Sequence, residues 1–314
     1  MNRTLTSNRP TGREALCCII ALACWLLVTG LFIGFRPEHL FMAVLLGALF
    51  FAAPATRRLT VALLPFIIFA ISYDWMNLLP NYEVNPVDVA GIYNLEKTLF
   101  GINTASGVLT PNEFFALHTF PLADLLAGIF YLCWVPLPVA FGLYLYFSGR
   151  KNAYLHFSIV FLLVNLIGFA IYYIHPAAPP WYVALHGFEA VPGTHGEVAG
   201  LGAFDRMTGL AIFDGLYARN SNVFAAVPSL HSAYTFVAFI YAVRSRSPLA
   251  WRIALGIVTL GIWTTAVYTS HHYLIDVIAG ILTSIAGVLL FEQVLMRIPS
   301  FSRFIDKYCL YITK

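Results

Sequence analysis

Charge is scarce in this chain: only 11% of its 314 residues are Asp, Glu, Lys or Arg. A soluble domain carries about a quarter, so an aqueous globular protein is excluded and a chain built for lipid is implied. Cysteine is sparse as well. The five thiols (Cys17, Cys18, Cys24, Cys133 and Cys309) lie in apolar or arginine-flanked segments and none lies in a long polar loop. Neither a disulfide framework nor a zinc cluster is therefore expected, nor any other metal or cofactor. Low-complexity tracts and a clear internal repeat are absent. A basic face is lacking too, because the net charge of +3 is dispersed among short loops, and no nucleic-acid partner is expected.

What the chain has instead is apolar length, with 60% hydrophobic residues. A hydrocarbon core of about 30 Å needs about 20 residues of helix. Eight segments meet that need, at about 15–35, 38–55, 58–78, 121–147, 154–174, 224–243, 249–268 and 272–293. The first is too long for a signal-peptide core and no small-residue cleavage site follows it, so it reads as a retained span. The expected fold class is all-α, a polytopic integral membrane protein with about eight transmembrane helices.

Lysine and arginine favour cytoplasmic loops. One set of alternate segments carries 14 of them, including Arg57, Arg58, Arg150, Lys151, Arg244, Arg246 and Arg303; the other carries only Arg36, Lys97, Arg206 and Arg219. Both termini are thus expected in the cytoplasm, with the loops near 79–120, 175–223 and 268–272 on the outer face. A bacterial inner membrane is the expected location. Residues 1–57 read as a two-helix appendage, 58–294 as a six-helix catalytic core and 295–314 as a cytoplasmic tail. Within the first outer loop, Tyr93 to Gly101 is amphipathic and suits the membrane interface.

Histidine placement carries the first chemical signal. Eight of the nine fall at or beyond the outer ends of spans, and only His156 is cytoplasmic. Histidine titrates near neutrality, so such a group suits proton or phosphoryl chemistry. Val227-Pro228-Ser229-Leu230-His231-Ser232 opens the sixth span. Proline fits a first helical turn, where free N–H groups and the dipole attract anions; Ser229 adds a donor and His231 aims at the same spot. Thr269-Ser270-His271-His272-Tyr273-Leu274-Ile275-Asp276 opens the last span. His272 and Asp276, four apart, share a helix face. A carboxylate there fixes the tautomer of the ring and leaves its other nitrogen free to attack.

The Pro-Ser-x-His and His-Tyr-x-x-Asp segments resemble the second and third signatures of the type-2 phosphatidic acid phosphatase superfamily, a six-helix membrane fold, over about residues 58–294. The branch containing the fungal inositol phosphorylceramide synthases is most similar, through Pro228 to Ser232, His271 to Tyr273, Ala178-Pro179-Pro180-Trp181-Tyr182 and the stretch from Tyr93 to Ile102. The resemblance implies that His272 is a nucleophile forming a phosphohistidine. Asp276 orients it, and His231 protonates the departing alcohol and then deprotonates the incoming one. Ser229, His271, Arg219 and Lys97 are the candidate phosphate ligands.

The chain departs from the phosphatase members in lacking their Lys-x6-Arg-Pro motif and the Ser-Arg pair ahead of the third signature, where it has Thr265-Ala266. Fewer cations suit a phosphodiester, with one negative charge, better than a phosphomonoester, with nearly two. The expected activity is transfer of a phosphorylated head group, such as phosphoinositol, from a phospholipid to a lipid alcohol such as ceramide or a diacylglycerol. The alternative is a lipid phosphate phosphatase with water as acceptor. A transporter would place its charges near the midplane, commonly with inverted repeats. A metal hydrolase would need His271 and His272 to ligate together from directions about 100° apart on a helix.

Overall fold

The computed structural model of the protein describes residues 9–218 and 222–313. These are mostly helical, with a single short hairpin among the described residues. The first spans are α1 (Gly12–Phe32), α2 (Pro37–Ala52), α3 (Pro54–Ala62) and α4 (Leu64–Trp75). A layer over one end of the bundle follows, made of α5 (Ala90–Phe100), a hairpin β1 (Ile102–Thr104) and β2 (Gly107–Leu109), and α6 (Pro111–Leu117). Next come α7 (Pro121–Leu132), α8 (Pro136–Phe147) and α9 (Lys151–Ile174), then three short helices in the same end layer, α10 (Pro180–His186), α11 (Gly202–Thr208) and α12 (Ile212–Tyr217). The chain finishes with α13 (Leu230–Arg244), α14 (Leu249–Tyr268), α15 (Leu274–Leu289) and α16 (Pro299–Thr313).

Among the described residues, four helices are long and apolar enough to cross a membrane: Gly12–Phe32, Lys151–Ile174, Leu249–Tyr268 and Leu274–Arg297. Two bent pairs, α3 with α4 at 50° and α7 with α8 at 43°, raise the number to six. Each of the eight expected segments contains helix, although 224–229 is not helical and 121–147 is broken between Leu132 and Pro136. However, α2 and α13 have 16 and 15 residues, short of the length that crosses unaided, so six rather than eight qualify by length and apolarity.

Both bends have a proline cause. Pro65 has no N–H for the Val61 carbonyl, which accepts the Tyr308 hydroxyl instead at 2.6 Å. The neighbouring Ala62 carbonyl accepts the Tyr154 hydroxyl at 2.7 Å. Backbone groups freed inside a hydrocarbon layer must find such partners. Pro136 breaks the second pair after Cys133 and leaves Trp134 in the gap, where its ring reaches the site.

The core of the bundle is aromatic. Helices α9 and α13 interleave Phe157, Phe161 and Tyr234 with Phe141 of α8, and all four are buried. Helix α15 packs against α9 and α13. At the other end of the bundle α16 packs on α3 and α9, and the Tyr311 hydroxyl donates to Glu14 at 3.0 Å. The first and last helices of the chain are thereby tied together.

Candidate active site

Ser229 is the N-cap of α13; its Oγ accepts the Ser232 N–H at 3.3 Å. This is side-chain capping, where the sequence suggested a hydroxyl donor to an anion; Pro228 precedes the cap and His231 falls in the first turn. The Ser229 N–H donates to the carbonyl of Asp276 at 2.9 Å, which ties the first motif to the second. So close an approach requires glycine on the facing helix: a Cβ at Gly280 would overlap the Ser229 carbonyl oxygen.

The second motif lies on the turn between α14 and α15. Ser270 adopts φ +60° there, a left-handed conformation that costs a non-glycine residue energy and persists where surroundings over-determine it. Those surroundings come from three parts of the end layer. The Trp181 N–H donates to the Ser270 carbonyl at 3.0 Å and the Gly200 N–H to the Thr269 carbonyl at 3.1 Å. Asn112 Nδ2 donates to the carbonyls of Val267 and His272, both at 2.8 Å. A capping box between Thr110 and Glu113 starts α6 and so aims Asn112 inward.

The N-terminus of α15 is already occupied by an anion from this chain. Glu96, buried on the inner face of amphipathic α5, accepts the N–H groups of Leu274 at 3.0 Å and Ile275 at 3.1 Å. A carboxylate at this position is favoured by the helix dipole. Burial pushes the Glu96 carboxyl above its ordinary range, while the two N–H donors pull it down.

His272 Nδ1 lies 3.1 Å from the Ala226 carbonyl and 3.4 Å from Asp276 Oδ2. Two acceptors at Nδ1 place the proton there and leave the lone pair on Nε2. That Nε2 faces His231 Nδ1 at 3.1 Å. Asp276, fully buried, also accepts the Tyr273 N–H at 2.8 Å. The His231 ring stacks on Tyr131 at 4.9 Å and meets Trp134 at 4.6 Å. His271 Nδ1 sits 2.9 Å from Thr269 Oγ1, and its ring meets Tyr217 at 4.5 Å. Burial, then the charge of His272, pushes the His271 imidazole down to about 3, so His271 is a neutral hydrogen-bonding group near neutral pH.

A cavity of about 90 Å³ opens on this set, walled by His231, His271 and His272 together with Trp134, Trp181 and Tyr234. A second, of about 310 Å³, lies beside it and shares Tyr73, Trp134, Tyr217 and His231. Among the described residues, no Lys or Arg lines either one, and no three His, Cys, Asp or Glu side chains gather to hold a metal ion.

Of the seven residues expected at the site, the structure brings His231, His271, His272 and Asp276 together. Ser229 is adjacent but buried, with its hydroxyl engaged by Ser232 at 3.0 Å. Lys97 lies apart from both cavities, over the Tyr93 ring and 3.2 Å from its hydroxyl. Arg219 lies outside the described residues. Glu96, Asn112, Tyr131, Trp134, Tyr217 and the Ala226 carbonyl escape the sequence reading. Glu96 lies in the stretch Tyr93 to Gly101 that the sequence marks as amphipathic, whereas Trp134 lies inside the segment 121–147 that it reads as one unbroken span.

Comparisons with known proteins show the family. Residues 98–290 match the PAP2 superfamily. The chain is 55% identical, over 303 residues, to the phosphoinositol dihydroceramide synthase of Bacteroides thetaiotaomicron, covering 96% of this chain and 99% of that protein. It is 29% identical over 248 residues to the inositol phosphorylceramide synthase of Candida albicans, covering 77% of this chain and 50% of that protein. It is 28% identical over 240 residues to the inositol phosphorylceramide synthase catalytic subunit AUR1 of Saccharomyces cerevisiae, covering 75% of this chain and 57% of that protein. The chain thus spans about half the length of these fungal relatives. No solved structure matches it significantly.

Proposed function

We propose that this chain, which belongs to the PAP2 superfamily, transfers phosphoinositol from phosphatidylinositol to a ceramide or dihydroceramide. The observation that carries the reading is the 3.1 Å contact between His231 and His272, in a cavity whose described walls hold no cation. The 55% identity to a phosphoinositol dihydroceramide synthase supports the head group and the acceptor.

His272 Nε2 attacks the phosphorus of the donor, and the bond to the glycerol oxygen breaks as His231 gives that oxygen a proton. Diacylglycerol leaves and a phosphohistidine diester remains. The primary hydroxyl of the ceramide then passes its proton to His231 and attacks the same phosphorus. The N–P bond breaks, and His272 recovers its lone pair. Asp276 and the Ala226 carbonyl hold the Nδ1 proton throughout and stabilise positive charge on the ring. A phosphodiester with a single charge suits walls without arginine or lysine; a monoester would leave nearly two charges to be met.

The site faces the periplasmic side, with both termini in the cytoplasm. The 14 to 4 distribution of Lys and Arg supports this orientation, and the bacterial relative supports an inner membrane. Reporter fusions at the loops near 150 and 187 test it, since only the second should report a periplasmic address.

The catalytic test is a product assay in detergent micelles, with labelled dihydroceramide and phosphatidylinositol in one arm and phosphatidic acid in the other. A new phosphoinositol lipid that disappears with His272→Ala supports the transfer. Inorganic phosphate from the monoester, with no transfer product, would replace it with a phosphatase.

A further inference from the structure

The transfer reaction leaves the cavity next to the phosphate site without a role. The 310 Å³ space beneath α12 is lined by Tyr131, Phe213 and Leu216, and by Tyr73, Trp134, Tyr217 and His231, which it shares with the phosphate-side cavity. Its lining is neutral and amphipathic, phenols beside apolar rings. At its rim Leu216 is exposed, whereas Phe213 is buried and packs on Tyr131 at 6.4 Å. Tyr131 is only 1% exposed. Among the described residues its hydroxyl has no well-formed hydrogen bond, the Tyr217 phenol being its polar neighbour. Buried hydroxyls without a partner are uncommon, because the lost hydration is not regained.

We propose that this cavity is the alcohol subsite. It receives the amide-and-diol head of the sphingoid acceptor, with the reacting primary hydroxyl at His231 and the Tyr131 hydroxyl bonded to the amide or the secondary hydroxyl. The inference rests on the transferase reading and adds the place and the specificity residue of the acceptor. Three considerations carry it. The alcohol must reach His231 from a side other than that of His272, whose Nε2 is engaged by His231 Nδ1, and this is the other cavity that the His231 ring lines. Its walls carry no charge among the described residues, which suits a neutral lipid alcohol better than an anionic head group. Finally, the buried Tyr131 hydroxyl, with the Tyr217 phenol beside it, can accept a further hydrogen bond. The sphingoid head has an amide N–H and a second hydroxyl to donate, whereas the ester head of diacylglycerol has no donor beyond its reacting hydroxyl. A buried phenol thus distinguishes the two alcohols that occupy the site in turn, and partitions the phosphohistidine toward the sphingoid alcohol.

The test is a chemical double-mutant cycle on the full-length protein in micelles. Transfer from phosphatidylinositol is measured to dihydroceramide, to its 3-deoxy analogue and to its N-methyl analogue, with the wild type and Tyr131→Phe. One analogue should be transferred about tenfold less efficiently by the wild type, the worth of one neutral hydrogen bond, and that deficit should vanish in Tyr131→Phe. Tyr131→Phe should lower kcat/KM for dihydroceramide by a similar factor, while the single-turnover release of diacylglycerol from phosphatidylinositol stays within about twofold. Deficits that persist undiminished in the variant, or an equal loss with all three acceptors, would overturn the subsite. A wild type that releases diacylglycerol yet transfers to no sphingoid acceptor would remove the transferase reading itself, and the subsite with it.

Discussion

Nδ1 of His231 lies 3.1 Å from Nε2 of His272, so the two rings hydrogen-bond directly. A phosphorus atom cannot fit between nitrogens that close. The donor must therefore open this contact, and the His231 proton that it releases becomes available to the leaving oxygen. Proton donor and nucleophile are paired until substrate separates them.

His231→Gln should slow diacylglycerol release and acceptor transfer alike, by about 10²–10⁴-fold, the usual range for a lost general acid–base. His272→Ala should abolish both, together with any acid-labile phosphoenzyme. Rapid-quench single turnovers with phosphatidylinositol labelled in the head group check both variants. Retention of one half-reaction at full rate in His231→Gln would assign that proton to another group.

Asp276→Asn can keep an oxygen against the Tyr273 N–H, so the start of α15 should hold and the melting temperature change little. What is lost is the negative charge beside His272. The expected result is a fall in kcat of about 10²–10⁴-fold with KM nearly unchanged, read from initial rates in micelles. A fall in melting temperature that parallels the loss of activity would make Asp276 structural instead.

Glu96→Gln replaces a carboxylate that accepts two helix N–H groups by an amide that can accept only on one oxygen. Loss of the cap and of its charge at the helix N-terminus should destabilise the fold by about 1–2 kcal/mol. Thermal unfolding in micelles measures this. Activity should fall with it, because the capped turn carries His272. An unchanged melting temperature would mean that water or a neighbouring group caps α15 as well.

His271 titrates near 6.5 in an unfolded chain and at about 3 in the folded one. Between those values the unfolded state binds more protons, so stability rises with pH there. The contribution is complete above about pH 6.5 and is lost as pH falls toward 3. The slope reaches about 1.4 kcal/mol per pH unit. Melting temperatures between about pH 4.5 and about pH 7, a range that brackets the unfolded value, should show a shallower slope in His271→Gln than in the wild type. Parallel curves would place the imidazole in water.

The sequence by itself determined what is local. Apolar length located the helical segments and Pro228-Ser229 fell at the start of α13; the spacing of four kept His272 and Asp276 within reach, although His272 lies on the turn ahead of α15 and not on its face. Backbone periodicity and capping act within a turn or two, so they are written in consecutive residues. The prolines that bend α4 and α8 were equally visible, but the bends become functional only where Trp134 meets His231. Expected ligands fared unevenly for the same reason: Lys97 stacks on Tyr93 one turn away, a local partner that the long-range reading overlooked.

Tertiary structure decided the rest. His231 and His272 are 41 residues apart, and Glu96 reaches Ile275 across 179. Such pairs depend on how closely helices approach, here on Gly280 clearing the Ser229 carbonyl. They depend as well on an end layer whose polar side chains satisfy the turn beneath it. Hydropathy reports which segments leave water. It does not record which buried carboxylate meets which N–H, because that is settled by packing between elements far apart in the chain.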